Sequence, residues 1–205
     1  MDVAEAIERR RAVKRFDPDF VIPPEDERRL LELAMLSPTA FNIQHWRFVV
    51  VRDRGLRERI RAVTWGQPQI TEASLLVVIC ADVQAWRRDP ARYWSHVPEA
   101  QREGILEAIR TYYEGDPRRQ RDEALRSCGI AAQSLMLAAT AMGYESCPMD
   151  LSDFDAVADL IGLPEDHLIA LFVAIGRGAE TPWPRGGRLP FDEVVLTDRF
   201  SPGRP

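Results

Sequence analysis

Lysine and asparagine are almost absent from this chain of 205 residues: Lys14 is the one lysine among 27 basic residues, and Asn42 is the one asparagine. A mutational preference acting on every position accounts for the bias. The two residues that survive it fall inside the two segments that carry most of the chemistry discussed below. Cysteine is sparse as well. Cys80, Cys128 and Cys147 are odd in number and far apart, with no Cys-x-x-Cys or His-x-x-x-His spacing. They read as buried small hydrophobes in a reducing compartment, not as a disulfide framework or a metal site. His45, His96 and His167 are isolated, which argues against zinc chemistry. No apolar run approaches the roughly 20 residues that span a bilayer. The N-terminus is charged from Asp2 onward and lacks the apolar core of a signal peptide. No membrane association and a cytoplasmic location are therefore the expectation. A net charge of −5 disfavours nucleic acid as a partner, because phosphate backbones reward a basic face. There are no internal repeats, and no Rossmann glycine fingerprint is present, so any nicotinamide would bind only transiently.

What remains is an ordinary globular composition, 45% hydrophobic and 29% charged, on a length that suits one domain over residues 1–205. Asp2 and Glu5 form a capping-box pattern ahead of a short helix that runs to about Arg10. A second helix is expected to start near Pro24, with acidic residues in its first turn, and to stop at Ser37-Pro38. Phe48–Val51 reads as a short strand, followed by a helix that Asp53 caps and that ends near Gly66. Leu75–Ala81 and Leu168–Ile175 are unbroken apolar runs of strand length. Lacking alternation, they predict a sheet covered by helices on both faces. A long helix is expected from about Asp122 to Gly143. Its seam of Leu125, Cys128, Ala132, Leu135, Ala139 and Met142 and its second small-residue face call for burial on more than one side, at the domain centre or a subunit interface. Tyr144–Cys147 reads as a further strand, and Ser152 as the cap of a helix through Leu160. Residues 82–121 differ in texture, with aromatics among charges and prolines. They predict a helical excursion whose aromatics either face a ligand cleft or pack the excursion onto the body.

Two segments carry chemistry. Arg9-Arg10-Arg11-Ala12-Val13-Lys14-Arg15 gathers five cations in seven residues, a composition that suits a phosphate clamp because guanidinium forks match phosphate oxygens. Taken alone, a solvated helix end explains it better, because an arginine cluster in an arginine-rich chain is weak evidence. Ser37-Pro38-Thr39-Ala40-Phe41-Asn42-Ile43-Gln44-His45-Trp46-Arg47-Phe48 is more specific: a loop of amides and hydroxyls that runs directly into an apolar strand. Asn and Gln each offer a donor and an acceptor, as the polar edge of a flavin ring requires.

With these segments the chain resembles the nitroreductase family of FMN enzymes. The resemblance extends to the helix AAQSLMLAATAMGY, to Pro148-Met149-Asp150 read as a turn, and to the tail GRGAETPWPRGGRLPFDEVV, in family order over nearly the whole chain. It implies an α+β fold with a central mixed sheet, and a homodimer that shares its FMN sites and exchanges C-terminal segments, with Val194–Leu196 as the exchanged strand. It places Arg10, Arg11, Ala12 and Lys14 at the cofactor, with Arg188, assisted by Arg185, at its phosphate. Asn42 and Gln44 would meet the polar edge of the flavin, with Pro38, Thr39 and Ala40 coming from the partner subunit. Pro148, Met149 and Asp150 would pack over the ring. The implied activity is hydride transfer from NAD(P)H through FMN to nitroaromatic, quinone or similar acceptors in a ping-pong cycle, with no side chain as nucleophile. Family specialists (reductive dehalogenases, enoyl or semialdehyde reductases, flavin-cleaving enzymes) and non-catalytic FMN-binding proteins are the alternatives it leaves open. Two departures stand out. Ala12 takes the place of a serine, removing one hydrogen bond worth on the order of 1 kcal/mol. His45 takes the place of a proline.

Overall fold

A computed structural model describes residues 1–200. Four strands form one sheet in the order β1-β2-β4-β3: β1 (Trp46–Val50), β2 (Leu75–Asp82), β3 (Glu145–Met149) and β4 (His167–Gly176). All three pairings between these strands are antiparallel. The parallel component of the expected mixed sheet is confined to one isolated bridge, Ala12 to Ser146. Every residue of β2 is buried. Its odd-numbered side chains, Leu75, Val77, Ile79 and Ala81, meet α2 (Pro24–Met35) and α6 (Pro117–Ala141), the latter through Ala124, Cys128 and Leu135. Its even-numbered apolar side chains, Leu76, Val78 and Cys80, meet α3 (Arg54–Ala62), α4 (Gln69–Glu72) and α7 (Phe154–Ile161). Covering on both faces is why the run shows no alternation. Full burial of each Leu, Ile or Val is worth about 1.5–3 kcal/mol, so this double layer dominates stability.

Helix ends follow local chemistry, with instructive differences from expectation. Asp2 caps α1 (Val3–Arg9) by accepting from the Glu5 N–H at 2.8 Å, and Asp53 caps α3 in the same way. The long helix α6 starts five residues before Asp122, because Asp116 accepts from the Arg119 N–H and Pro117 takes the first helical position, where its missing N–H costs nothing. The cap of α7 is Asp153, not Ser152, whose hydroxyl donates instead to the Val63 carbonyl at 3.0 Å. Pro148 and Met149 are not a turn: they are the last residues of β3, paired with Val173 and Phe172. Val194 closes a short helix, α8 (Phe191–Val194), and within one chain Val195 and Leu196 belong to no strand. At the end of β4, Gly176 is required: a Cβ there would lie 3.1 Å from the Phe16 ring and 3.2 Å from the Ser74 nitrogen.

The excursion after β2 contains two 3₁₀ turns, Ala85–Arg87 and Pro90–Trp94, and α5 (Glu99–Tyr113). Trp86, Ile109 and Tyr113 bury themselves with Ile43 in a small satellite core, so these aromatics pack the excursion onto the body. Among the described residues no helix is long and apolar enough to cross a membrane.

One buried cation ties the layers together. Arg57 of α3 donates to the carbonyls of Val51 at 2.8 Å, Ala73 at 2.5 Å and Ser74 at 3.1 Å, satisfying the chain as it leaves β1 and enters β2. Burial lowers its pKa, but three acceptors hold the guanidinium in place. Arg57→Met leaves those carbonyls without donors and is expected to cost about 2–4 kcal/mol, read as a lowered denaturation midpoint. An unchanged midpoint would show that the clamp is dispensable.

Candidate functional site

The segment Ala12–Asp17 is stitched to the sheet beside the start of β3. The Val13 N–H donates to the Ser146 carbonyl at 3.1 Å, Asp17 to Arg177 at 2.8 Å, and Ala179 back to Arg15 at 3.0 Å. This fixes the arginine-rich end of α1 against β3. Arg11 folds its Nη1 onto the carbonyls of Glu8, Arg9 and Arg10, at 2.6, 3.3 and 3.0 Å. The C-terminal tail returns to the same helix end, where Arg185 donates to the carbonyls of Ile7, Glu8 and Arg10 at 3.2, 2.9 and 3.1 Å. Arg188 contacts only the carbonyls of Gly186 and Gly187. The Arg185 pKa is lowered by partial desolvation and then by the charges of Arg11, Arg188 and Arg10. Among the described residues none of Arg10, Arg11, Lys14, Arg185 and Arg188 has a carboxylate partner, whereas Arg9 and Arg15 on either side do. In a chain with 32 acidic residues, a cluster of five unpaired cations calls for an external anion.

Arg10 and Arg11 of this cluster line a cavity of about 140 Å³ with Arg9, Val13, Tyr144, Ser146 and one carboxylate, Glu145, among others. Arg10 Nη1 and Ser146 Oγ are shielded from solvent with no hydrogen-bond partner, and so is Gln69 Oε1. The Gln69 amide nitrogen reaches Cys147 Sγ at 3.8 Å, and Lys14 Nζ reaches the same sulfur at 3.7 Å. Burial raises the Cys147 pKa, with Lys14 and Gln69 opposing, so this thiol orients its neighbours and does not act as a thiolate. Buried polar atoms without partners mark a place where a polar ligand completes the set. Gln69 and Ser146 were not anticipated from sequence. Neither left a signal in the sequence that sets it apart from other polar residues.

The second predicted segment lies elsewhere. Trp46 pairs with Ala81 at one end of β2, whereas Ser146 pairs with Ile175, which pairs with Leu75 at the other. Six residues of strand, about 20 Å, separate the two ends. Pro38, Thr39, Ala40, Asn42 and Gln44 therefore sit at the end of the sheet opposite Arg10, Arg11, Ala12 and Lys14. Pro148 and Met149 follow Ser146 on β3 and Asp150 lies just past its end, Met149 buried and Asp150 exposed. The loop itself is strained, with Phe41, Asn42 and Gln44 at φ of 53°, 56° and 55°, in the left-handed region that costs non-glycine residues of order 1 kcal/mol each.

Several contacts hold it there. Thr39 Oγ1 accepts from the Gln44 N–H at 3.0 Å, Trp94 Nε1 donates to the Phe41 carbonyl at 3.2 Å, and Arg47 donates to the Gln44 carbonyl at 3.0 Å. Asn42 stays exposed, its side-chain oxygen accepting from the Gln44 amide at 3.3 Å. His45 is wholly buried. Its Nδ1 faces the Asp82 carbonyl at 3.2 Å and must carry the proton, which leaves Nε2 to accept from the Tyr113 hydroxyl at 3.3 Å. The Asp82 carboxylate meets Arg47 at 2.8 Å and Arg88 at 3.1 Å, with His167 Nε2 at 3.7 Å. Although Asp82, Asp166 and His167 converge, the flanking guanidiniums repel a cation, and the group serves as an anchor for the loop.

An α+β sheet covered on both faces, with a cationic, ligand-seeking pocket on its edge, defines a class of fold and site that the comparisons identify. The nitroreductase family profile matches residues 7–177. Protein DrgA of Synechocystis sp. is 49% identical over 200 residues, covering 95% of each chain. An NADH dehydrogenase of Thermus thermophilus is 33% identical over 211 residues, covering 96% of each. A nitroreductase-type protein of Exiguobacterium sibiricum, solved in complex with FMN, superposes with a TM-score of 0.86 at 25% identity, covering 96% of this chain and 97% of that one. This chain belongs to the nitroreductase family and is an oxidoreductase of that type.

Burial pushes the His45 pKa below its ordinary 6.5, against a smaller opposing pull from its hydrogen bond to the Asp82 carbonyl. The unfolded chain then binds a proton that the folded chain resists. The stability that neutral His45 supports is complete above that pH and is lost as pH falls through 6.5 toward the lower folded-state value. Melting temperatures recorded from about pH 8 to about pH 5 should fall less steeply for His45→Gln than for the native chain. Parallel curves would remove His45 from the acid response.

Proposed function

We propose that this protein binds FMN between two copies of the chain and uses it to reduce small acceptors of the nitroaromatic or quinone type with NAD(P)H. The observation that carries the reading is the unpaired set of Arg10, Arg11, Lys14, Arg185 and Arg188 at one end of the sheet, together with the unsatisfied buried atoms of Arg10 and Ser146 that line one cavity there. A dianionic phosphate on a heteroaromatic body answers both demands, charge and hydrogen bonding. Arg188 and Arg185, carried on the tail, and Arg10 and Arg11, at the end of α1, hold the phosphate. Lys14 reaches Cys147, which Gln69 also contacts, and from there its side chain favours negative charge on a reduced ring. Ser146 stands opposite Ala12 in an isolated bridge, so its free hydroxyl restores the donor that Ala12 lacks. Pro148 and Met149, on the same strand, and Asp150 just beyond its end form the wall over the ring.

Asn42 and Gln44 lie about 20 Å away along the sheet, too far to share one small cofactor with Lys14 in the same chain. A second copy brings its Pro38–Gln44 loop to the first copy's cation cluster, and the site is shared. The tail that carries Arg185 and Arg188 exposes Trp183, Leu189, Phe191, Val194 and Val195, an apolar surface suited to exchange with the partner, with Val194–Leu196 as the exchanged strand. When bound, FMN supplies the redox chemistry, taking hydride from NAD(P)H and passing two electrons to the acceptor in a ping-pong cycle. The protein contributes position and electrostatics, and no side chain is needed as a nucleophile.

The purified protein is expected to be yellow, to release FMN on denaturation, and to bleach on anaerobic addition of NADH or NADPH. Flavin that stays oxidised under those conditions would overturn the reductase assignment. Arg188→Ala, at an exposed position, should weaken FMN binding roughly ten- to hundredfold with little change in melting temperature. Ser146→Ala should loosen FMN by roughly five- to tenfold while leaving the flavin-free protein no less stable, since it deletes an unsatisfied buried hydroxyl. Mixing Arg188→Ala and Asn42→Ala subunits should restore one intact site per mixed dimer. Absence of any recovered activity in the mixture would show that both residues act in the same chain.

A further inference from the structure

The excursion after β2 encloses a cleft of its own, away from the cation cluster. Residues four apart share one face of a helix, and α5 presents two neighbouring stripes. Ile109 and Tyr113 are buried and lean on Trp86 and Ile43. Leu106, Arg110 and Glu114 form the adjacent stripe. They line a cavity of about 380 Å³ whose opposite wall is Trp86, Arg87, Pro90 and Ala91. That volume lies in the range of about 300–1,000 Å³ usual for small-molecule sites.

The lining divides by chemistry. Trp86, Pro90, Ala91 and Leu106 give an apolar surface, and the indole is rigid, stacked on Tyr113 with ring centroids 5.8 Å apart at 15°. Against that surface stand two guanidiniums. Arg110 shares its charge with Glu107 at 3.0 Å, whereas Arg87 has no carboxylate partner among the described residues. The lining thus carries two guanidiniums against one carboxylate. Glu114 supplies the one negative group of the lining and opposes a second negative charge on a ligand.

We propose that this cleft binds a small monocarboxylate with a planar apolar body, its carboxylate held by Arg87 and Arg110 and its body laid against Trp86 and Leu106. An uncharged analogue of the same shape forfeits the guanidinium contacts, and a dianion meets Glu114. The cleft stands apart from the Arg10–Arg188 cluster, so the inference does not depend on the FMN reading.

Titration calorimetry on the full-length protein, with and without added FMN, tests it, using benzoate as probe and benzyl alcohol and phthalate as controls. Saturable benzoate binding at millimolar concentration is expected, with both controls weaker. Arg87→Gln should weaken benzoate binding at least about tenfold, the loss of a charge-assisted hydrogen bond. Arg87 is exposed, so the variant should keep its melting temperature. Arg110→Gln should weaken binding in the same direction. Undiminished benzoate affinity in Arg87→Gln would place the binding elsewhere and overturn the proposal. Equal affinity for benzyl alcohol, or no saturable binding of benzoate at all, would overturn it too.

Discussion

The burial of β2 on both faces constrains everything else in this molecule. A strand with eight buried residues leaves no room for water or charge in the middle of the sheet. Helices must cover both faces, α2 and α6 on one, α3, α4 and α7 on the other. Polar chemistry is thereby driven to the strand ends, where chain entry and exit expose backbone and where polar side chains stay hydrated. The two chemically distinctive segments duly emerge at opposite ends of the sheet. Their separation follows from strand length.

At the end of the sheet by β3, the arrangement runs against the protein's own electrostatics. Arg10, Arg11, Arg185 and Arg188 repel one another, and the tail must be held against that repulsion. Hydrogen bonds from Arg185 and Arg11 to the last carbonyls of α1 do part of this, since the negative end of a helix dipole welcomes cations. The remainder of the charge is unanswered within the described residues. A fold that stores repulsion at one pocket gains most when an anion arrives, so the electrostatic cost of the free protein becomes affinity for the ligand.

Much of this was legible in the residues. The two apolar runs gave β2 and β4 almost to the residue, and Asp2, Asp53 and Pro24 marked three helix starts. The errors share a cause, namely that local chemistry admits two answers and tertiary contacts choose. Ser152 and Asp153 can each cap α7, but the serine hydroxyl is drawn to Val63, leaving the cap to the aspartate. Pro117 reads as a break, yet at the first position of a helix a proline is favourable, so α6 runs earlier than the charged stretch Arg118–Arg121 implied. Pro148 reads as a turn, but it lies in β3, the edge strand of the sheet, where a proline is tolerated. Gln69 and Ser146 were invisible for a different reason: an unsatisfied polar atom is a property of the packed chain, not of a motif.

The Pro38–Gln44 loop shows how the opposite end of the sheet is kept in a conformation its residues resist. The three left-handed residues Phe41, Asn42 and Gln44 persist because neighbouring elements over-determine them. His45 roots the loop between the Asp82 carbonyl and the Tyr113 hydroxyl, Arg47 links it to the Asp82 carboxylate, and Trp94 seizes the Phe41 carbonyl. Tyr113 and Trp94 both belong to the excursion after β2, and Trp86 of the same excursion stacks on Tyr113. The excursion is therefore the support that holds the Asn42 and Gln44 amides outward, and the same Trp86 forms one wall of the Arg87 cleft. Occupancy of that cleft would bear on Trp86, then Tyr113, then His45, a contiguous packed path of three side chains. Whatever fills the excursion is thus mechanically adjacent to the Pro38–Gln44 loop.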